Sequence, residues 1–363
     1  MVKNTMKKSK RPVWSAVILA VIFTALSPAG RAVVGTASRT VPAEAGSSGQ
    51  AADGNASSAA AAGTAGTDRS TAAAGTAGTD GNTSDAGSAA ADSGAGTAAS
   101  SREETAAPAA PAGSLKVTFC DVGEGDCALI ETDGHYMIID GGPSSASRIV
   151  YTILKNQGIT HFDIMVASHS DADHIGGLSA ALQLADASLV LCPVTGADTR
   201  TFQSFLRYLD RQGAAITVPA CGASYTLGEA VLTVLGPVRT EGVSDNNTSL
   251  VIRLVYGSTA FLFTGDAEAE EEQDILQSGA DLSAAVLKVG HHGSAGSTGS
   301  AFLSAVSPSC AVISVGADNP YGHPTQTVLG RLGTAGAEIF RTDQQGDITV
   351  VSDGTAISVT AEK

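Results

Sequence analysis

The sequence predicts an α/β (α+β) fold, a sandwich of sheets covered by helices, confined to the C-terminal part of a 363-residue chain. Two observations predict it. No aromatic residue occurs between Phe23 and Phe119, and a stretch so rich in Ala, Gly, Ser and Thr cannot bury enough apolar surface to offset its ordering entropy. After Leu115, short apolar runs come first in hairpin spacing and then alternate with helical periodicity. The folded material is therefore expected over 114–363, one large domain with a real core.

The N-terminus reads as an export signal or membrane anchor over 1–32. Lys3, Lys7, Lys8, Lys10 and Arg11 precede the uncharged apolar run Val13–Leu26, and Ser27-Pro28-Ala29 offers a small-residue cleavage site. Cleaved signal and retained anchor both remain open. Either places the rest of the chain outside the cytoplasm, secreted or tethered to the outer face of the membrane, because positive charge stays inside. Residues 33–113 are expected to be a disordered linker. Its near-repeat, Ala60–Asp68 and Ala72–Asp80, has Ala as its only apolar residue and so no face to stack.

Leu115–Phe119, Ala128–Glu131 and Tyr136–Ile139 read as strands separated by glycine-bearing turns. Ser145–Asn156 carries Ile149, Val150, Ile153 and Leu154 at helical spacing, and Phe162–Ala167 is an apolar strand. Helices are expected at Ile175–Leu184 and Thr201–Arg211, with strands at Leu189–Leu191 and Ala215–Val218. A β-rich stretch follows: Ala230–Leu235, Ser249–Val255 and Ala260–Phe263. The helix near Ala267–Leu276 opens with Glu268, Glu270, Glu271 and Glu272, where acid suits the helix dipole. Strand Ala285–Val289, helix Thr298–Ala305, strand Ala311–Ser314 and helix Gln326–Leu332 precede terminal strands.

Charge and cysteine usage exclude several function classes. The formal net charge is −15, and 114–363 alone hold 12 basic and 28 acidic residues, which argues against a generic basic nucleic-acid binder. The five cysteines form no C-x-x-C pair, which excludes a thiolate zinc site. Cys120 and Cys127 flank a tight turn and read as small buried residues.

Metal-competent side chains recur where apolar strands end. Phe162–Ala167 delivers His169, Asp171, Asp173 and His174, followed by Gly176-Gly177; Ala260–Phe263 delivers Asp266; Ala285–Val289 delivers His291 and His292; Tyr136–Ile139 delivers Asp140. Carboxylates gathered at one rim repel one another unless a divalent cation removes that cost. The run from His169 to His174 is the most specific of these signals.

These residues resemble the H-x-H-x-D-H motif of the metallo-β-lactamase superfamily. Seven segments also look like the hydrolase domain of ComEC-type competence proteins: Phe119–Asp126, Ile139–Gly142, Ser168–Gly177, Asn246–Val251, Thr264–Asp266, Leu287–Ser294 and Asn319–Pro324. The resemblance implies a four-layer αββα sandwich with a metal site at the sheet rim. It implies two divalent ions, zinc or manganese: His169 and Asp171 on one, Asp173, His174 and His291 on the second, Asp266 bridging. Asp140 would accept a ring N–H from a ligand histidine. His291 is preferred to His292 as ligand because it directly follows the strand and Gly290. His292 and His323 are then general acids, phosphate donors or a further ligand, with a turn-stabilising role for His323 left open. Asp171 stands where the superfamily has its second histidine, and Asn246-Asn247 where a third is usual. Both changes make the first position harder, favour manganese or weakly held zinc, and argue against β-lactam turnover. Glu124 stands where the competence-type motif commonly has Gln.

The expected reaction is hydrolysis of a phosphodiester by metal-activated water, with Asp173 central. Lys288, Ser294, Asn247, Arg253 and the amides of 290–294 are candidates to hold phosphate oxygens; a snorkelling Lys288 is the alternative. An exported nuclease acting on extracellular DNA, with a partner in DNA uptake, leads. The acidic domain, without a basic track or interleaved aromatics, keeps a small cell-envelope phosphoester of the phosphorylcholine type as the rival. Lactone or β-lactam hydrolysis and a non-enzymatic tethered module come behind.

Overall fold

A computed structural model describes residues 113–363. The export segment and the linker, apart from its last residue, lie outside the described residues. Fifteen strands and eight α-helices follow in order: β1 (Leu115–Phe119), β2 (Ala128–Thr132), β3 (His135–Ile139), α1 (Ser147–Gln157), β4 (His161–Val166), α2 (Ala172–Ile175), α3 (Leu178–Leu184), β5 (Asp186–Leu191), α4 (Arg200–Gln212), β6 (Ile216–Thr217), β7 (Ser224–Leu227), β8 (Ala230–Gly236), β9 (Val251–Tyr256), β10 (Thr259–Phe263), α5 (Ala269–Ser278), β11 (Val286–Lys288), α6 (Ser300–Val306), β12 (Cys310–Ile313), α7 (Gln326–Ala335), β13 (Glu338–Arg341), α8 (Thr342–Gln345), β14 (Ile348–Ser352) and β15 (Ile357–Ala361).

The strands form two mixed sheets, in the orders β15-β14-β1-β2-β3-β4-β5-β6 and β13-β12-β11-β10-β9-β8-β7. Residue alternation decides which face each side chain covers. Met137 and Ile139 join the core between the sheets, whereas Ile138 between them packs under the helices of the first sheet. Phe261 and Phe263 do the same in the second sheet, with Leu262 turned to its helices. Val150 and Leu154 of α1, Leu178 of α3, and Phe202, Phe205 and Leu209 of α4 cover one sheet. Ile275 of α5, Phe302 and Leu303 of α6, and Val328 and Leu332 of α7 cover the other. Helices thus flank both sheets, and β10, β11 and β12 are buried along their full length.

Two departures from the sequence pattern stand out, the first of them at the site. The helix expected over Ile175–Leu184 is split at Gly176-Gly177 into α2 and α3. A Cβ on Gly177 would lie 1.9 Å from the Gly141 carbonyl oxygen, so two bare glycines let the loop after β3 touch the loop after β4. Gly141 N–H then donates to His174 O at 2.7 Å and Gly177 N–H to Gly142 O at 2.9 Å. The short β7 was not expected at all; its residues SYTL are mostly polar, and only Leu227 is buried.

Cys120 and Cys127 lie opposite each other just beyond the β1–β2 pairing, with Cys120 N–H donating to Cys127 O at 2.8 Å. Both are buried free thiols. Among the described residues, no helix is long and apolar enough to cross a membrane.

Candidate metal centre

β3 and β4 run parallel in one sheet, β10, β11 and β12 in the other, and their C-terminal ends meet at one rim. Asp140 follows β3, and the run His169 to His174 follows β4. Asp266 follows β10, His291 and His292 follow β11, and the turn between β1 and β2 adds Glu124 and Asp126. Several of these positions are held in the left-handed backbone region: Asp140 at φ 58°, His291 at φ 47° and His292 at φ 50°. Such conformations cost free energy and persist only where the surroundings impose them. Gly125, at φ 138°, is required by space: a Cβ there would lie 2.2 Å from the Asp173 carbonyl oxygen.

Asp173, His174, Asp266 and His292 each offer one donor atom within 4.8 Å of all the others. His174 Nε2 is 3.2 Å from Asp266 Oδ1; His292 Nε2 is 3.3 Å from Asp173 Oδ2 and 3.6 Å from Asp266 Oδ2. His169 is fully buried beside them, its ring centroid 4.2 Å from that of His174 and its Nε2 3.7 Å from Asp171 Oδ2. Asp171 and Asp173 are partly exposed at the mouth. The two adjacent histidines differ from the order expected along the chain. His292 enters the tight group, while His291 sits beside it, Nε2 3.7 Å from Asp266 Oδ2 and Nδ1 3.4 Å from Glu268 Oε1.

Behind the group, Asp140 organises the histidines. Its Oδ1 accepts from Ser168 N–H at 2.8 Å, and its Oδ2 from Ser168 Oγ–H at 2.7 Å. Oδ2 also lies 3.0 Å from His174 Nδ1, which leaves Nε2 of that ring facing the group. For His292 the Ser314 carbonyl does the same, 3.0 Å from Nδ1, with Asp126 Oδ1, whose role the sequence did not show, adding negative charge 3.3 Å from that nitrogen. Lys288 must be reassigned. Its Nζ is buried, 2.7 Å from Asp126 Oδ2, and donates to Val289 O at 2.8 Å, so it neither snorkels nor reaches out to a phosphate. Asn247 is buried too, its Oδ1 accepting from Glu268 N–H at 2.9 Å. Its neighbour Asn246 lines the cleft instead. Arg253 points to Ser283 and Asp281, and Ser294 supports the His291 loop by donating its N–H to His291 O at 2.7 Å.

The electrostatics favour a cation. Burial opposes charge on Asp266, yet His174 and His292 hold its carboxyl well below the usual range. Burial likewise works against a charged His174, but Asp266 and Asp140 hold that imidazole well above its ordinary value. For His292 the same opposition, with Asp266 and Asp126 prevailing over burial, ends at about 10. Asp126 is held down at about 2 against burial, by Lys288 first and then His292. The acids thus stabilise whatever positive charge sits among them, proton or metal. His169 Nε2, His174 Nε2, His292 Nε2 and Asp266 Oδ1 are all buried without a hydrogen-bond partner. Buried polar atoms so placed normally have one. A mixed imidazole and carboxylate set of this kind suits zinc, or manganese given its oxygen content. The residues fit a divalent ion.

In front lies a cleft of about 180 Å³, lined by Glu124, Asp171, Asp173, Asn246, Asp266, His291, His292, Tyr321 and His323. Glu124 is fixed by Gly316 N–H, which donates to its Oε2 at 2.7 Å, and its Oε1 lies 3.7 Å from His323 Nδ1. Glu124 and Tyr321 were not read as site residues. The turn position of one and the exposed aromatic beside His323 were the available signals.

A two-sheet sandwich with helices on both outer sides and a His/Asp metal cluster at the shared strand rim defines a metal-binding protein of hydrolase type. The chain belongs to the metallo-beta-lactamase superfamily, whose family model matches residues 120–317. It is 32% identical over 251 residues to ComE operon protein 3 of Bacillus subtilis, an alignment covering 64% of this chain and 32% of that protein. With competence protein ComA of Neisseria gonorrhoeae it shares 31% over 240 residues, covering 66% and 32%. The chain therefore spans about a third of the length of these relatives. Among solved structures, the metallo-beta-lactamase fold protein YhfI of Bacillus subtilis matches with a TM-score of 0.42 and 15% identity, over 62% of this chain and 95% of that one.

Proposed function

We propose that the protein is an exported metal-dependent phosphodiesterase, a nuclease acting on extracellular DNA. The carrying observation is the Asp173, His174, Asp266 and His292 group, donors within 4.8 Å and its buried Nε2 and Oδ1 atoms otherwise unpartnered. His169 and Asp171 extend the donor set, and His291 lies near enough to Asp266 to join it. Bound divalent ions would supply activated water and neutralise charge on the phosphodiester. Asp140 and the Ser314 carbonyl would fix the rings of His174 and His292, so that both present Nε2 to the centre. Asn246 and His323, in the cleft wall, would orient the phosphoryl and leaving oxygens by hydrogen bonds. The relatives' names, ComE operon protein and competence protein, fit a DNA-uptake context with a partner protein. The basic and apolar N-terminus supports export.

The test is turnover of single-stranded DNA, bis-p-nitrophenyl phosphate and nitrocefin by the full chain with manganese or zinc. The first two should be cleaved, the third not, and Asp173→Ala should lower the rate by at least 100-fold. Full activity in excess chelator would sink the proposal. A second reading, a small cell-envelope phosphoester, is favoured by the acidity of 114–363 and predicts cleavage of p-nitrophenylphosphorylcholine with DNA left intact.

A further inference from the structure

The cleft is small for what it would hold. At about 180 Å³ it falls below the roughly 300 Å³ at which ordinary small-molecule sites begin. A single phosphodiester group fits inside, and the rest of the substrate must lie on the rim. One large side chain waits there. Tyr321 is 68% exposed, more than any other large hydrophobic residue among those described, yet it also lines the cleft. Its ring stacks on His323, centroids 5.7 Å apart and planes 26° from parallel. His323 in turn meets His291 edge-on at 5.7 Å, and His291 meets His292 at 6.0 Å. A run of rings thus leads from solvent to the metal group.

Exposed aromatic residues on surface loops are commonly mobile, but this loop is clamped. The Asn319 side chain donates from Nδ2 to Gly316 O and to His323 O, both at 2.8 Å. Its Oδ1 accepts from Tyr321 N–H at 3.2 Å and His323 N–H at 3.0 Å. Gly316 N–H is tied to Glu124 of the β1–β2 turn. The backbone under the ring is fixed and the ring itself rests on His323, so little freedom is lost when a planar group lies on it.

We propose that Tyr321, backed by His323, is a stacking platform for the nucleobase next to the scissile phosphate, which makes the substrate class a nucleotide or a single-stranded polynucleotide. The proposal rests on the phosphodiesterase reading. Base–aromatic stacking is tolerant of sequence and needs no basic track, which reconciles a nucleic-acid substrate with an acidic domain. A base paired within a duplex has both faces covered, so the platform selects unpaired strands. A choline headgroup, by contrast, is usually recognised by a cage of several aromatic rings, and among the described residues no second Phe, Tyr or Trp lines this cleft.

The test compares the full chain with Tyr321→Ala and Tyr321→Phe, using a fluorescent hexathymidylate and a base-free sugar-phosphate strand of equal length. Binding is read by anisotropy in manganese and in chelator, turnover by KM and kcat. The wild type should bind the base-bearing strand on the order of tenfold tighter. Tyr321→Ala should abolish that ratio and raise KM with little change in kcat, while Tyr321→Phe keeps both and all three melt alike. Equal affinity for the two strands, no measurable binding of hexathymidylate, or a ratio that survives Tyr321→Ala overturns the platform. So does a Tyr321→Ala variant that loses phosphocholine binding instead. Base-dependent binding without turnover of any phosphodiester keeps the platform and removes the phosphodiesterase reading.

Discussion

Asp126 shows how much one buried carboxylate can organise. It faces Lys288 on one side and His292 on the other, so removing it strands an ammonium in the interior. Breaking such a pair from one side costs about 3–5 kcal/mol. Asp126→Ala should therefore destabilise the domain by that order in urea unfolding, and Lys288→Met should rescue part of the loss; additive losses would refute the pairing. Asp140 acts through His174 rather than through the fold. Asp140→Ala is expected to weaken manganese or zinc binding roughly 10–100-fold by calorimetry, with a smaller change in melting. The sequence made Asp140 readable because it ends an apolar strand with two glycines after it. Lys288 was not readable, because the acid that explains it lies 162 residues upstream and arrives only through the packing of two sheets.

At the scale of elements, α5 carries more than its sequence pattern suggested. Its early glutamates suggested nothing beyond a favourable dipole, yet Glu271 and Glu272 are buried. Glu271 Oε1 accepts from Val238 N–H at 2.9 Å; Glu272 accepts from Thr298 N–H and, at 2.8 Å, from Gly299 N–H. Burial pushes both carboxyls up to about 7, against those hydrogen bonds. The native state then binds more protons than the unfolded chain between about pH 4.5 and 7. Their contribution to stability is complete below that window and fades as pH rises through 7. In chelator, unfolding free energy measured from pH 5 to 8 should fall less steeply for Glu272→Gln than for the wild type, and parallel curves would contradict the assignment. Thr298 Oγ1 accepts from Gly290 N–H at 3.1 Å, so Glu272 also steadies the loop of His291 and His292. Strand ends were legible because an apolar run stops abruptly at a ligand type. The break between α2 and α3 was less so, since the loop that demands Gly177 comes from β3.

For the whole molecule, the metal group joins the two sheets. His169, Asp173 and His174 belong to the first, Asp266 and His292 to the second. An ion bound between them is lost on unfolding and so stabilises the fold by mass action, about 2.7 kcal/mol at a hundredfold excess over Kd. For a domain of this size that is a melting shift of roughly 5–10 °C. Scanning fluorimetry should show it for manganese or zinc, reversed by chelator and absent in an Asp173→Ala, Asp266→Ala double variant. The layered fold could be expected from hydrophobic periodicity and motif order together. Which of two neighbouring histidines joins the tight group could not, because it depends on left-handed backbone at both.

β1 begins at Leu115, pairs with the penultimate strand β14, and runs toward the turn that carries Glu124 and Asp126. Leu115 therefore lies a full strand, roughly 17 Å, from the rim that carries the metal group. The chain enters the domain at that far end, with Gly113 and Ser114 ahead of β1.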